Sequence, residues 1–451
     1  MCWTEYRNSS QSSLSSSTGK CHCPQFHCTR EATGVMAHAI TGQAPVVNSN
    51  SALGSLRFQG CSGDGVRLSC LFASDSTIGL GRGTLKVLNA STLTPVWGSA
   101  GAPKSYDLDA NDVAGQVPLN FADGRLAAGD SSFHVLYDAS GVMLAKLPVG
   151  GTGTNFGLTP ISAALGIVSQ SDGVLTLVNM ASWQNAGTLV LRDPETGAAV
   201  RLVSPSSASA DTLFAVGFNP KNNHGFLFAV TIDPSTRQIG IRTTWVFTGV
   251  SGASPVVVAP AVTGLPRNLV LLHVPGLPAD AVPRDRLLGL LDTGNGMTPL
   301  WTITLDAALP VAPTIDSVTQ TLFFVYSGDG RVFQHSLLSG ARLRVFDVQA
   351  ATRLPGSFVL NGHLGASQAW SGFTLLLSGK VSSAAPGSNG QYVIAFRPGE
   401  ASPVMWVKRI NARADLHTAA WNLAPSSQPD VDCAVVVGTN SGITRLCDFA
   451  P

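Results

Sequence analysis

Nine histidines and eight cysteines carry most of the chemistry open to this 451-residue chain. His363 in Asn361-Gly362-His363, Trp370, His417 just after Asp415, and Trp421 fall in one C-terminal stretch. His363 and His417 each come at or near the start of a strand that follows a loop, so the four side chains could converge at the mouth of a channel and hold a small molecule or a metal ion. The competing expectation is ordinary packing between strands. His134, His273 and His335 lie inside strand-like runs and read as structural imidazoles, while His224 in Asn222-Asn223-His224-Gly225 reads as a turn residue.

The cysteines divide into two sets. Cys2, Cys21, Cys23 and Cys28 sit in a Ser-rich leader, the last three with His22 and His27. Thiolate and imidazole are zinc ligands, but the Cys-x-Cys spacing lacks the Cys-x2-Cys pair of ordinary fingers and ribbons, so no metal is expected there. Cys61 and Cys70 flank the turn Gly63-Asp64-Gly65, and Cys433 and Cys447 flank a hairpin centred near Asn440. Each pair can close a disulfide if its strands pair in register; the alternative is four buried thiols.

Catalytic signatures are missing from the sequence. There is no Gly-x-Ser-x-Gly elbow, no His-Glu-x-x-His and no Gly-x4-Gly-Lys-Ser/Thr loop. Gly79-Leu80-Gly81-Arg82-Gly83 leads into a strand rather than a helix, so no helix N-terminus follows it to bind an anion. Only four glutamates exist: Glu5 and Glu31 in the leader, Glu195 and Glu400 in turn sequences.

The elements that must position these residues are set by a repeat. An apolar strand, a polar turn and a second strand ending on Trp or a large apolar residue recur, closing on Trp97, Leu147, Leu191, Trp245, Trp301, Phe346 and Trp406. Separations run from 44 to 60 residues, with a mean of about 50, which suits one four-stranded antiparallel blade. Runs at 168–170, 174–178, 322–326, 332–335, 373–377 and 392–396 are β-branched or aromatic, and Ser171-Asp172-Gly173, Gly328-Asp329-Gly330 and Asn440-Ser441-Gly442 are hairpin signals at one place in the unit. The last unit stops short of its Trp-bearing strand, and residues 55–59 are the expected donor of the missing one. The expected fold is all-β: an eight-bladed β-propeller, with seven blades as the alternative, spanning 51–451 behind a disordered leader at 1–50 and closed by pairing of N- and C-terminal strands.

The Leu287 to Trp301 unit, with its Gly-x-Leu-x-x-Leu-Asp strand, Thr-Gly turn and closing Trp, resembles the repeat of the quinoprotein-like (PQQ-repeat) β-propellers. The resemblance spans roughly 55–451 and implies fold more than function. Quinone dehydrogenases of that superfamily would carry a vicinal Cys-Cys, a Ca²⁺ site of Glu, Asn and Asp, and a catalytic Asp. This chain has no Cys-Cys dipeptide and no plausible glutamate ligand. The expected role is therefore a non-catalytic binding or scaffolding propeller without cofactor, presenting loops and a funnel to a protein or small ligand; the alternative is a PQQ/Ca-dependent oxidoreductase or other enzyme at the channel mouth.

Composition bounds the partners. Charged residues are 12% of the chain and net charge is +1, so no basic stripe exists for nucleic acid or anionic membrane. Gly 47 and Pro 27, with abundant Ser and Thr, favour an extracytoplasmic, secreted β-protein over a cytoplasmic one, although residues 1–34 hold no apolar signal core. The most apolar later stretch, 256–278, is cut by four prolines and reads as strands and a loop, not a membrane span. A monomer is expected.

Overall fold

The structure, a computed structural model, describes most of residues 118–410, with gaps at 122, 130–131, 252–253, 277–283, 310–311, 327, 355, 370–371 and 383–389. Elsewhere it describes residues 93–97, the side chains of 62, 67–71 and 85–89, and otherwise strand backbone alone, as it does at 361–369.

Each apolar run is a strand, and consecutive strands build one sheet after another, with Val35–Met36 and Val46–Asn50 added to the edges of the last two. Eight sheets are present among the described residues, six of four strands and two of five. Sheet one runs Arg57–Gly63, Arg67–Ala73, Gly83–Asn89, Tyr106–Leu108; sheet two runs Leu119–Asn120, Leu126–Gly129, Phe133–Tyr137, Met143–Pro148. Sheet three is Asn155–Pro160, Leu165–Gln170, Val174–Asn179, Gln184–Val190, and sheet four is Arg201–Leu202, Ser207–Ser209, Thr212–Asn219, His224–Asp233, Gln238–Thr248. Sheet five is Val256–Val258, Leu269–Val274, Arg286–Asp292, Met297–Thr304, and sheet six is Thr314–Asp316, Thr321–Val325, Arg331–Ser336, Arg342–Asp347. Sheet seven holds Ser357–Ala369, Gly372–Ser382, Gly390–Phe396, Val404–Ile410, and sheet eight holds Ala419–Pro425, Val431–Thr439, Gly442–Phe449. Only two short helices interrupt the described residues, Pro260–Thr263 and Val348–Thr352.

Successive strand residues point to opposite faces, and here both faces are covered. Ile167 and Leu177 pack with sheet four, whereas their neighbours Val168 and Val178 pack with sheet two. The same alternation builds seams between sheets one and two, four and five, five and six, and six and seven. Backbone contacts place Ala419–Pro425 beside both Ser357–Ala369 and Arg57–Gly63, so sheet eight lies between sheets seven and one. Each fully buried Leu, Val or Phe in these seams contributes roughly 1.5–3 kcal/mol.

Tryptophans lock two of the seams. Trp301 donates its Nε1–H to the Leu337 carbonyl of sheet six (2.9 Å) and lies over Gly340. Trp97 donates to the Ala139 carbonyl of sheet two (3.0 Å) and lies over Gly141. Both acceptors sit in the hairpin between third and fourth strands of the next sheet. Gly141 and Gly340 have φ of 87° and 67°, and a Cβ at either would press into the indole.

Two sequence expectations need correction. Residues 55–59 do not supply the missing outer strand: Arg57–Gly63 is the first strand of sheet one, and Val46–Asn50 pairs antiparallel with Gly442–Phe449, Val46 facing Cys447 and Asn50 facing Ile443. A strand there emerges at the end of sheet eight where the first strand of sheet one must start, which is why the earlier segment fits. Trp97 does not end its unit either, because Tyr106–Leu108 follows it; the Trp lies in the connection from the third strand, just past the Leu88–Pro95 bridge.

Candidate functional site

Strands alternate in direction, so the linkers between sheets and the hairpins between second and third strands meet at one end of the stack. Asp, Asn, His and Tyr side chains gather on this linker face. Between sheets two and three the linker Gly150-Gly151-Thr152-Gly153-Thr154 wraps the hairpin of sheet three: Thr152 and Gly153 donate their N–H groups to Asp172 Oδ2 (2.7 and 3.0 Å), and Gly151 donates to Gln170 Oε1 (2.8 Å). Between sheets three and four, buried Asp193 accepts from Asn219 and Asn222 Nδ2 (2.6 and 2.7 Å) and from the Glu195 N–H (2.8 Å). Burial works to raise the Asp193 pKa, but those hydrogen bonds outweigh it and hold the carboxyl well below the usual range.

The densest group spans sheets five and six. His273 Nε2 meets Asp285 Oδ2 at 3.0 Å, and Asp285 Oδ1 accepts from the Gly276 N–H at 2.9 Å. Burial lowers the His273 pKa against the opposing pull of Asp285, so the neutral ring donates its Nε2–H to the carboxylate. On the next hairpin the Asp306 N–H donates to Tyr326 Oη (3.1 Å), and Arg331 forks onto Asp329 with Nη2–Oδ2 at 2.7 Å. Burial raises the Tyr326 pKa, and the Asp329 hydrogen bond raises that of Arg331. Arg284 reaches Asp306 at 4.0 Å and joins the two groups at the surface.

A His–Asp pair with a buried Tyr one hairpin away has the parts of an acid–base site. Its geometry is that of a brace: Asp285 holds both ends of the 276–285 loop, and Tyr326 holds the linker into sheet six. Among the described residues no group of three His, Cys, Asp or Glu could hold a metal ion, and no helix is long and apolar enough to cross a membrane.

Of the four expected funnel residues, His363 and Trp421 have described backbone only, in Ser357–Ala369 and Ala419–Pro425, and Trp370 and His417 lie outside the described residues. His363 stands inside its strand rather than at its start, beside a register shift between Leu360 and Leu364. His224 opens a strand instead of forming a turn. His134, His273 and His335 are strand residues. Cys70 is disulfide-bonded and faces Cys61 in register; Cys433 faces Cys447 in register. Side chains of Cys61, Cys433 and Cys447 lie outside the described residues. The sequence reading missed Asp285, Asp306 and Tyr326, whose one signal was a Pro-rich loop followed by Arg284-Asp285.

No family model matches the sequence, and no curated protein matches it. Among solved structures the chain is similar to BamB from Moraxella catarrhalis (11% identity, 90% of this chain and 99% of that one, TM-score 0.47). It is also similar to the WD40 domain of Toxoplasma gondii coronin (12%, 87% and 94%, 0.47) and to the Dos1 propeller (12%, 92% and 95%, 0.52). At these identities the likeness is one of fold, carried by the Dos1 match. The chain is a β-propeller of antiparallel, mostly four-stranded sheets.

Proposed function

We propose that this protein is an eight-bladed, quinoprotein-like propeller used as a binding or scaffolding platform, with a protein partner on its linker face. The observation that carries the reading is the use of that face's polar groups. Asp172, Asp285 and Tyr326 each bind backbone of an adjoining linker or loop, and Asp193 ties its own linker to the Asn219 and Asn222 side chains of the next hairpin, which stiffens a broad surface rather than pointing reactive atoms at one spot. In this reading each sheet is one blade, Val46–Asn50 closes the ring as the outer strand of the eighth, and disulfides Cys61–Cys70 and Cys433–Cys447 staple the two blades at the closure. Such staples fit an oxidising, extracytoplasmic setting.

Lysine cross-linking in an extract of the source cells tests the platform. Lys221, exposed on the 219–224 hairpin, and exposed Lys380 on sheet seven should link to one partner reproducibly. Titration with pyrroloquinoline quinone and Ca²⁺, followed by a dye-linked oxidation assay, tests the competing enzyme. A stoichiometric quinone complex, or Ca²⁺-dependent dye reduction above a heat-treated control, would overturn the platform reading.

A further inference from the structure

The inner ring of strands has an unusual occupant. Strands on the leading edge of neighbouring sheets touch one another, Ser207–Ser209 against Asn155–Pro160 and Val256–Val258, and Thr314–Asp316 against Ser357–Ala369. Their free edges therefore face the centre. On that edge of sheet seven lies a short strand, Val35–Met36, paired parallel with Ala366 and Ser367 and also touching Thr314–Asp316. Ten residues later the same segment forms the outer strand Val46–Asn50 of sheet eight.

The two pairings are unequal. Val46–Asn50 makes a five-residue antiparallel ladder, whereas Val35–Met36 makes two residues of parallel pairing, the weaker geometry per residue. The edge it covers is far longer than it is: Ser357–Ala369 has 13 residues, against 3 for Thr314–Asp316. An exposed edge of backbone N–H and C=O groups is a template for another strand. Around the cis strand the sequence is Ala32-Thr33-Gly34-Val35-Met36-Ala37-His38-Ala39-Ile40, small and aliphatic and without Asp, Glu, Lys or Arg.

From this we infer that the inner edge of Ser357–Ala369 is a strand-addition site, held in cis by Val35–Met36 and taken in trans by an extended, uncharged peptide of small and aliphatic residues running parallel to it. Main-chain hydrogen bonds supply the attraction. A peptide of five or six residues can form more of them than the two-residue cis strand, and so can displace it. The inference rests on the platform reading and names one partner class for it.

A fluorescein-labelled peptide of residues 32–41 is the probe, and fluorescence polarisation the readout. In the full chain, Val35→Pro with Met36→Pro removes both N–H donors of the cis strand. That double variant should bind the probe at least tenfold more tightly than the parent, and a probe with the same two prolines should bind neither. Equal affinity of parent and variant overturns the inference, as does no binding by a variant that keeps the parent's circular dichroism and thermal midpoint. If the variant does not fold, hydrogen exchange on the parent decides: saturating peptide should speed exchange at least tenfold at whichever of Val35 and Met36 donates its N–H to Ser357–Ala369 and leave 46–50 protected. Unchanged exchange at 35–36 overturns it. Failure here with cross-links from Lys221 and Lys380 intact removes only the strand-addition site; loss of those cross-links removes the platform itself.

Discussion

Lowering the pH from 7 to 4.5 protonates the His134 imidazole in the unfolded chain and leaves it neutral in the folded one. The ring is 1% exposed, wedged between Gly129, Trp183 and Asn155 at the seam of sheets two and three. Its Nε2 has no hydrogen-bond partner. Burial alone pulls its pKa from 6.5 to about 3. The unfolded state therefore binds more protons throughout that window, so the protein loses stability as pH falls from about 6.5 towards about 3. At about 1.4 kcal/mol per pH unit, the loss reaches about 3 kcal/mol by pH 4.5 and about 5 kcal/mol at the lower end. His134→Leu removes the titrating group, at a cost of about 1–3 kcal/mol at pH 7 from imperfect repacking. Urea unfolding followed by tryptophan fluorescence at pH 7 and pH 4.5, on parent and variant, isolates His134, because all other titrating groups are common to both. The parent should lose about 3 kcal/mol more than the variant across that interval. Equal losses in the two proteins would refute the account of a neutral, sealed imidazole.

Trp301→Ala should cost on the order of 3–5 kcal/mol in urea unfolding, because it empties a seam position and leaves the Leu337 carbonyl without its donor; unchanged stability would mean the indole is not a seam residue. Arg242→Ala should cost about 3–5 kcal/mol, since Arg242 Nη2 meets the buried carboxylate of Asp292 at 2.6 Å across the seam of sheets four and five; Arg242→Lys should recover part of it. Deleting residues 1–34 should leave the thermal midpoint within a few degrees of the parent, whereas deleting 1–50 removes the Val46–Asn50 ladder and should lower it steeply; equal effects would exclude that strand from the framework.

The repeat was legible because its signals are local. Ser171-Asp172-Gly173 and Gly328-Asp329-Gly330 both join second to third strands, and Gly173 and Gly328 adopt φ of 84° and 80°, a conformation that glycine accepts without strain. The seam residues were legible through the same period, since Ile167 and Val168 read as one apolar run because both faces of the strand are buried. Closure was misplaced because Val46–Asn50 reads Val-Val-Asn-Ser-Asn, a weak strand pattern that its partner Gly442–Phe449 overrides through a full ladder. The brace of His273, Asp285, Asp306 and Tyr326 was invisible for a different reason. Asp285 and Tyr326 stand on hairpins of two different sheets, and nothing in a linear pattern announces which linker a side chain will hold.

Those braces also bear on function. A carboxylate that binds its own backbone is stabilised in the charged state and is a poor base: the hydrogen bonds on Asp193 drive its affinity for a proton down, away from the neutral range where acid–base catalysis operates. His273 is lowered as well, by burial, and spends its Nε2–H on Asp285. Both shifts move the group away from shared protonation near pH 7, at Asp193 through its hydrogen bonds and at His273 through burial against the pull of Asp285. A surface built this way holds its linkers in fixed positions relative to the strands beneath them. If the platform proposal holds, such rigidity favours recognition, because little conformational freedom is left to lose on binding.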